Sequence, residues 1–260
     1  MKLALIQLHV ISGDPAANIA RATEMVREAA AGQPDLILLP EVWNTGVPSD
    51  PAVPGADENG APAALAIRKL AAELGIPIAA GSVANRRDGA MRNTAYVFDR
   101  TGSELARYDK IHLIGLMGED KIYAPGDRPR LFDLPGLSCG LMICYDLRFP
   151  ELARTLALAG ARLLLVPAAW PKPRLHPWRT LTQARALENQ VFLAAANCAG
   201  PSGPYDFFGN SLVADPLGHI LAEADESEQI LFADIDLSAC RDVRRTMNLL
   251  SDRRPECYQI

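Results

Sequence analysis

Basic charge is in short supply in this chain. Its 26 Lys and Arg residues face 31 Asp and Glu, for a net charge of −5, which argues against nucleic acid as a partner because phosphate binding needs a basic surface. Long apolar runs are missing too. None approaches the roughly 18–20 residues of a membrane span, so no membrane association is expected. The opening MKLALIQLHV has one Lys and a short apolar stretch, but Ser12, Gly13, Asp14 and Pro15 follow without an A-x-A-like cleavage site. It reads as a first strand, and the protein as cytoplasmic. Cysteine is sparse: Cys139, Cys144, Cys198, Cys240 and Cys257 are odd in number, scattered, and form no C-x-x-C pair. Neither a disulfide framework nor a zinc site is expected. His9, His112, His176 and His219 are equally dispersed, without H-x₃₋₅-H spacing, so metal catalysis is disfavoured. No repeat, linker or low-complexity tract divides the 260 residues, which read as one domain.

What is present is an alternation of strand-like and helix-like patterns, the mark of an α/β protein. Residues 3–8 read as a strand. Asp14 then caps a helix with Pro15 in its first turn and Ile19, Ala22, Val26 and Ala29 on one face. Residues 36–39 form a buried strand ending at Pro40-Glu41, and residues 44–62, rich in Pro, Gly and Asp, form a long loop beside it. A second helix carries Ile67, Leu70, Ala71 and Leu74 and stops at Gly75. Strands are expected over 76–83 and 93–98; Thr101-Gly102 then turns the chain into a strand that ends at Lys110, and a strand over 137–143 leads to Cys144. Beyond these come a helix over 151–159, a strand over 163–166, a helix over 179–189 and a strand over 191–196. A hairpin over 211–222 and a last strand over 230–235 complete the pattern. The hairpins imply mixed rather than purely parallel sheets. Residues 237–260 are polar and carry Arg241, Arg244, Arg245, Arg253 and Arg254. They read either as a solvated helix and tail or as an arm packed on a second subunit.

Three chemistry-bearing residues each stand where a predicted strand runs out: Glu41 after LILLP, Lys110 after RYD, and Cys144 after GLMI. Each has a bland reading. A strand-end cysteine is ordinarily an inert core thiol, Glu41 a loop carboxylate, and Lys110 a solvated surface lysine. Together they are the parts of a cysteine amidohydrolase. A thiol needs a base in contact, and a carboxylate can be one. Attack on an amide builds charge on oxygen, which an ammonium and a backbone N–H such as that of Tyr145 can face.

The segments LPEVWNTG, YDKIHL and GLMICYDLRFPEL resemble the three signature strings of the nitrilase, or carbon–nitrogen hydrolase, superfamily, in order and approximate separation. The similarity continues through QARALENQVFLAAANCAG, FGNSLVADPLGHILAEA and DRRPECY, covering nearly the whole chain. The resemblance implies an αββα four-layer sandwich of two mixed sheets flanked by helices. It also implies a Glu41–Lys110–Cys144 triad, a thioester intermediate, no metal or organic cofactor, and a homodimer built by sheet-flanking helices and the tail. It suggests Glu119 as a second glutamate that holds the lysine or the substrate. CYDLRFPEL with AAWPKPRLHPW and QARALENQ looks most like the ω-amidase branch, whose substrates are 2-oxo acid ω-amides such as 2-oxoglutaramate. Relatives acting on N-carbamoyl compounds or deaminated glutathione share most of these strings. A catalytically silent assembly module on the same fold and a metal-dependent amidohydrolase are the rivals from other classes. Arg148, four positions after the thiol, is a candidate for a bidentate pair with a substrate carboxylate or for a structural pair with Glu151 or Asp146. Trp170 is a candidate pocket wall or an ordinary core tryptophan.

Overall fold

The computed structural model describes residues 1–48 and 52–258. Ser49 to Pro51, inside the expected long loop, and Gln259 and Ile260, at the end of the expected arm, lie outside the described residues. The strands are β1 (Lys2–Gln7), β2 (Leu36–Leu38), β3 (Asp57–Glu58), β4 (Ile78–Arg87), β5 (Ala90–Phe98), β6 (Glu104–Asp109), β7 (Arg130–Leu134), β8 (Leu137–Leu141), β9 (Leu163–Ala168), β10 (Phe192–Asn197), β11 (Ala199–Ser202), β12 (Tyr205–Phe208), β13 (Leu212–Ala214), β14 (Ile220–Glu223) and β15 (Gln229–Asp234). The helices are α1 (Pro15–Ala31), α2 (Ala63–Leu74), α3 (Pro150–Leu158), α4 (Leu175–Asn189) and α5 (Ser238–Thr246).

One sheet runs β15-β1-β2-β4-β5-β6, with the short β3 also on β4, and the other runs β14-β13-β10-β9-β8-β7. Each has parallel strands at its centre, β1-β2-β4 and β8-β9-β10, and antiparallel strands toward its edges. Both are mixed, as the hairpins imply. The alternation of side chains along a strand sets the layers. Leu3 and Leu5 of β1 and Leu36 and Leu38 of β2 join one buried cluster with the second sheet and with α3 and α4. Ala4, Ile6 and Ile37 point the other way, onto Ala22, Val26 and Ala29 of α1 and Ile67 and Leu70 of α2. The order is helices, sheet, sheet, helices. Strands buried on both faces explain why β1, β2 and β9 read as near-continuous apolar runs.

Local signals placed most elements well. Asp14 Oδ1 accepts from the Ala17 N–H at 3.0 Å, and Gly75 ends α2 in a left-handed conformation with φ 68°. Three expectations shift. β4 and β5 are longer than expected and meet at Asp88-Gly89, both with positive φ, the two-residue turn whose twist suits a hairpin. α4 begins at Leu175 instead of 179, because Pro177 lies in the first turn, where its missing N–H costs no helical bond. The strand expected over 137–143 ends at Leu141. β7 and the β11–β12 hairpin were not anticipated. Each is short, and Arg130, Asp133, Gly200 and Pro201 interrupt their apolar pattern.

Candidate active site

Glu41, Lys110, Glu119 and Cys144 come from four separate segments and line one cavity of about 210 Å³. A space of that size suits a short substrate.

Glu41 leaves the end of β2 on a turn held by β4. The Ser82 N–H donates to the Pro40 carbonyl at 3.0 Å, the Trp43 N–H donates to the Ser82 carbonyl at 3.3 Å, and the Val42 N–H donates to Ser82 Oγ at 3.1 Å. Gly81 makes this approach possible. Its φ is 61°, and a Cβ there would fall 2.0 Å from the Pro40 oxygen, a distance no side chain tolerates. The register of β4 against β5 also shifts between Ala79 and Ser82, and such bulges commonly re-aim a neighbouring side chain. The Glu41 carboxylate is buried. Oε1 accepts from Lys110 Nζ and from Asn93 Nδ2, each at 2.8 Å, and Oε2 accepts from the Ala169 N–H at 2.8 Å.

Lys110 follows β6 and is only 1% exposed. Besides Glu41, its ammonium donates to both oxygens of Glu119 at 2.8 Å. Glu119 in turn accepts from the Ile114 N–H at 2.8 Å. The Gly126 N–H donates to the Lys110 carbonyl at 2.8 Å, and a Cβ on Gly126 would meet the Asp109 oxygen at 2.1 Å. Burial by itself would depress the lysine pKa, but Glu41 and Glu119 outweigh it and hold the pKa well above the ordinary value. Burial raises the Glu119 carboxyl above its usual range, against the pull of Lys110 and with the push of Glu41. The ammonium is permanent, and two buried carboxylates compete for it.

Cys144 opens a 3-10 turn, Cys144–Arg148, with φ 45°. This left-handed conformation is strained for a side chain of this kind. Burial, then the negative charge of Glu41, push its thiol pKa well above the ordinary value, with Lys110 pulling the other way. Asp146 holds the turn. Its Oδ2 accepts from the Ile143 N–H at 2.8 Å and from the Tyr108 hydroxyl at 2.7 Å. Its Oδ1 accepts from the His112 N–H at 3.1 Å and pairs with His112 Nδ1 at 2.7 Å. Tyr108 and His112 stand two residues either side of Lys110, so one fully buried carboxylate ties the lysine segment to the cysteine turn.

Every residue singled out from the sequence lines this cavity, Tyr145, Arg148 and Trp170 among them. Arg148 forms neither of the structural pairs considered for it. Asp146 is occupied as above, and the guanidinium lies over the Trp170 ring, with Cζ 4.8 Å from its centroid. The indole of Trp170 tilts against Trp178 at 5.4 Å, so Trp170 is both pocket wall and core residue. Sequence reasoning missed Asn93, Tyr108, His112 and Arg174, and it considered Asp146 only as a partner for Arg148. The i−2 and i+2 placement of Tyr108 and His112 around Lys110 was a usable signal for that pair. Nothing local pointed to Asn93 or to the Ala169 N–H.

Two mixed sheets with a thiol, an ammonium and two carboxylates gathered beyond their strand ends define an α/β sandwich hydrolase. Residues 2–245 match the family model for carbon–nitrogen hydrolase. The chain is 39% identical over 256 residues to the 2-oxoglutaramate amidase of Bacillus subtilis, covering 98% of each. It is 35% identical to the omega-amidase NIT2 of Mus musculus over 269 residues, covering 100% of this chain and 97% of that one. Among solved structures, a CN-hydrolase superfamily protein of Xanthomonas campestris with an arsenic adduct in its active site superposes with a TM-score of 0.91 at 32% identity, covering 98% of this chain and 97% of the other. The chain belongs to the carbon–nitrogen hydrolase family. Within it, the protein is an amidase.

Proposed function

We propose that this amidase releases ammonia from the ω-amide of a 2-oxo acid, of the 2-oxoglutaramate kind, through a thioester on Cys144. The observation that carries the chemistry is Lys110 bridging Glu41 and Glu119 at 2.8 Å in the cavity that Cys144 enters. The observation that favours a carboxylate-bearing substrate is Arg148, a guanidinium in the same cavity with no carboxylate partner among the described residues.

The raised thiol pKa means that Cys144 rests protonated. A free thiolate beside two carboxylates would add a third negative charge around a single ammonium. Proton transfer to Glu41 therefore accompanies attack. Glu41 Oε1 already takes two donors and Oε2 only one, which leaves a lone pair on Oε2 for the thiol proton. As the C–S bond forms, the amide oxygen gains charge, and the Lys110 ammonium with the Tyr145 N–H stabilises it. Glu119 holds that ammonium in place from the side opposite Glu41. Collapse expels ammonia with the proton returned by Glu41. Water, deprotonated by Glu41, then cleaves the thioester and frees the acid and the thiol. Trp170 walls the pocket and keeps Arg148 flat.

We also read residues 1–260 as one cytoplasmic domain with residues 237–260 as an arm, assembled as a homodimer. The arm begins against its own chain: Gln190 Nε2 donates to the Met247 carbonyl at 2.6 Å, and the Cys240 side chain is buried. Around the ends of α3 and α4, Leu158, Leu187, Leu217 and Met247 are exposed, an apolar flank suited to a second copy. Unpaired thiols at all five cysteines fit a reducing compartment.

The test is an ammonia-release screen across 2-oxo acid ω-amides, N-carbamoyl amino acids and simple aliphatic amides. Turnover is expected to be greatest with 2-oxoglutaramate or 2-oxosuccinamate. Greater turnover of N-carbamoyl amino acids would overturn the substrate assignment.

A further inference from the structure

The cavity separates hydrogen-bond acceptors from donors. At its floor the acceptors, Glu41 and Glu119, are both engaged by Lys110. Away from the floor, the polar side chains of the wall are Tyr145, Arg148, Trp170 and Arg174. Tyr145 turns its ring toward Arg148, 5.9 Å from Cζ, and its hydroxyl can serve either way. The other three can only donate. Arg148 has ring contacts but no hydrogen bond or ion pair from its guanidinium among the described residues. Arg174, immediately before α4, is half-buried and has no side-chain partner among the described residues. The indole Nε1 of Trp170 also has no partner among the described residues, but it is fully buried and is not open to the cavity.

Two guanidinium groups on one wall, neither with a hydrogen-bond or ion-pair partner for its head group among the described residues, leave donors to be satisfied by the ligand. A 2-oxo acid end brings a carboxylate and a carbonyl oxygen, acceptors only. The matching 2-amino acid amide brings an ammonium instead. That group adds three donors and a positive charge where two already stand.

We propose that Arg174 is a specificity-determining residue. With Arg148 it recognises the 2-oxo-carboxylate end of the substrate and rejects the corresponding 2-amino acid amide. This deepens the function proposed above and rests on it. It adds a second guanidinium to the recognition of the substrate and names the competitor that is refused.

The experiment compares wild type, Arg174→Gln and Arg174→Glu on three acids of equal length: 2-oxoglutaramate (concentration taken as the open-chain form), glutaramate, which has no substituent at position 2, and L-glutamine. Thermal melting of each variant checks the fold. Arg174→Gln is expected to lower kcat/KM for 2-oxoglutaramate by about 10- to 100-fold more than for glutaramate, the effect of losing one charge-assisted hydrogen bond. Arg174→Glu supplies an acceptor and reverses the charge, so the ratio of kcat/KM for L-glutamine to that for 2-oxoglutaramate is expected to rise by at least about 100-fold. If wild type turns over 2-oxoglutaramate while Arg174→Gln depresses it and glutaramate alike, or neither, the role of Arg174 is overturned and the proposed function stands. Wild-type turnover confined to neutral amides overturns both.

Discussion

Replacing Lys110 by Met removes the cation that bridges two buried carboxylates, and its consequences can be worked from the geometry. In the wild type Glu41 Oε1 and Glu119 Oε1 both lie 2.8 Å from the same nitrogen, so they are at most about 5.6 Å apart. Without the ammonium, two negative charges at that separation repel by about 3 kcal/mol at an effective dielectric of ~20. Burial already raises the Glu119 carboxyl, and Lys110 opposes that rise. In the variant the opposition is gone while burial and Glu41 still act, so the Glu119 carboxyl is raised further and holds a proton more readily. An acid whose folded pKa exceeds its unfolded pKa makes the native state bind more protons. Stability is then lost as pH rises from the unfolded value toward the folded one. Urea denaturation of Lys110→Met and wild type at pH 5 and pH 8 checks this. The deficit of the variant is expected to be about 2–3 kcal/mol larger at pH 8. Turnover is expected to fall by at least about 10²–10³, the usual cost of an oxyanion donor. A deficit independent of pH would refute the electrostatic reasoning, and near-normal turnover would refute the role given to the ammonium.

Cys144→Ala is expected to abolish turnover while leaving the melting temperature near that of wild type. Acid quenching of wild type with substrate should leave an acyl adduct on Cys144 by mass spectrometry, and Ala at Cys139, Cys198, Cys240 or Cys257 should largely preserve activity. Arg148→Met should lower kcat/KM for 2-oxoglutaramate by about 30- to 3,000-fold, as when a desolvated charge pair worth roughly 2–5 kcal/mol is broken. Equal losses on a neutral short amide would make Arg148 a scaffold residue. Asp146→Asn places an NH₂ group against donors and is expected to cost about 3–5 kcal/mol in urea denaturation, with a lower kcat in the folded fraction; wild-type stability would show that the clamp holds nothing. Light scattering is expected to give at least a dimer, and a monodisperse monomer would reject the assembly.

The local chain determined a good deal by itself. Asp14 and Pro15 start α1 and Gly75 ends α2 because capping and left-handed turns depend on a few neighbouring residues. The apolar runs of β1, β2 and β9 declared strands buried on both faces. Glu41, Lys110 and Cys144 could be picked out because each interrupts an apolar pattern with chemistry at a strand end, and the motif resemblance added Glu119. Their convergence is another matter. Lys110 touches Glu41 across 69 positions, and the Ala169 N–H reaches Glu41 across 128. No local pattern encodes contacts of that range. Sheet order encodes them, by setting β2, β6, β8 and β9 so that their ends open on one cavity. The same holds for Asn93, a polar residue inside a strand whose amide is spent on Glu41. It holds as well for Asp146, whose partners Ile143, Tyr108 and His112 come from its own turn and from the lysine segment. Arg174 stands in the Pro-rich stretch before α4, where no local pattern sets the direction of its side chain. Only packing turned that stretch toward the pocket and left its guanidinium without a partner. Side-chain chemistry is written position by position, whereas burial and pairing belong to the folded whole. That is why the candidates were legible in the sequence and their pKa shifts, and the unpartnered guanidinium groups of the wall, were not.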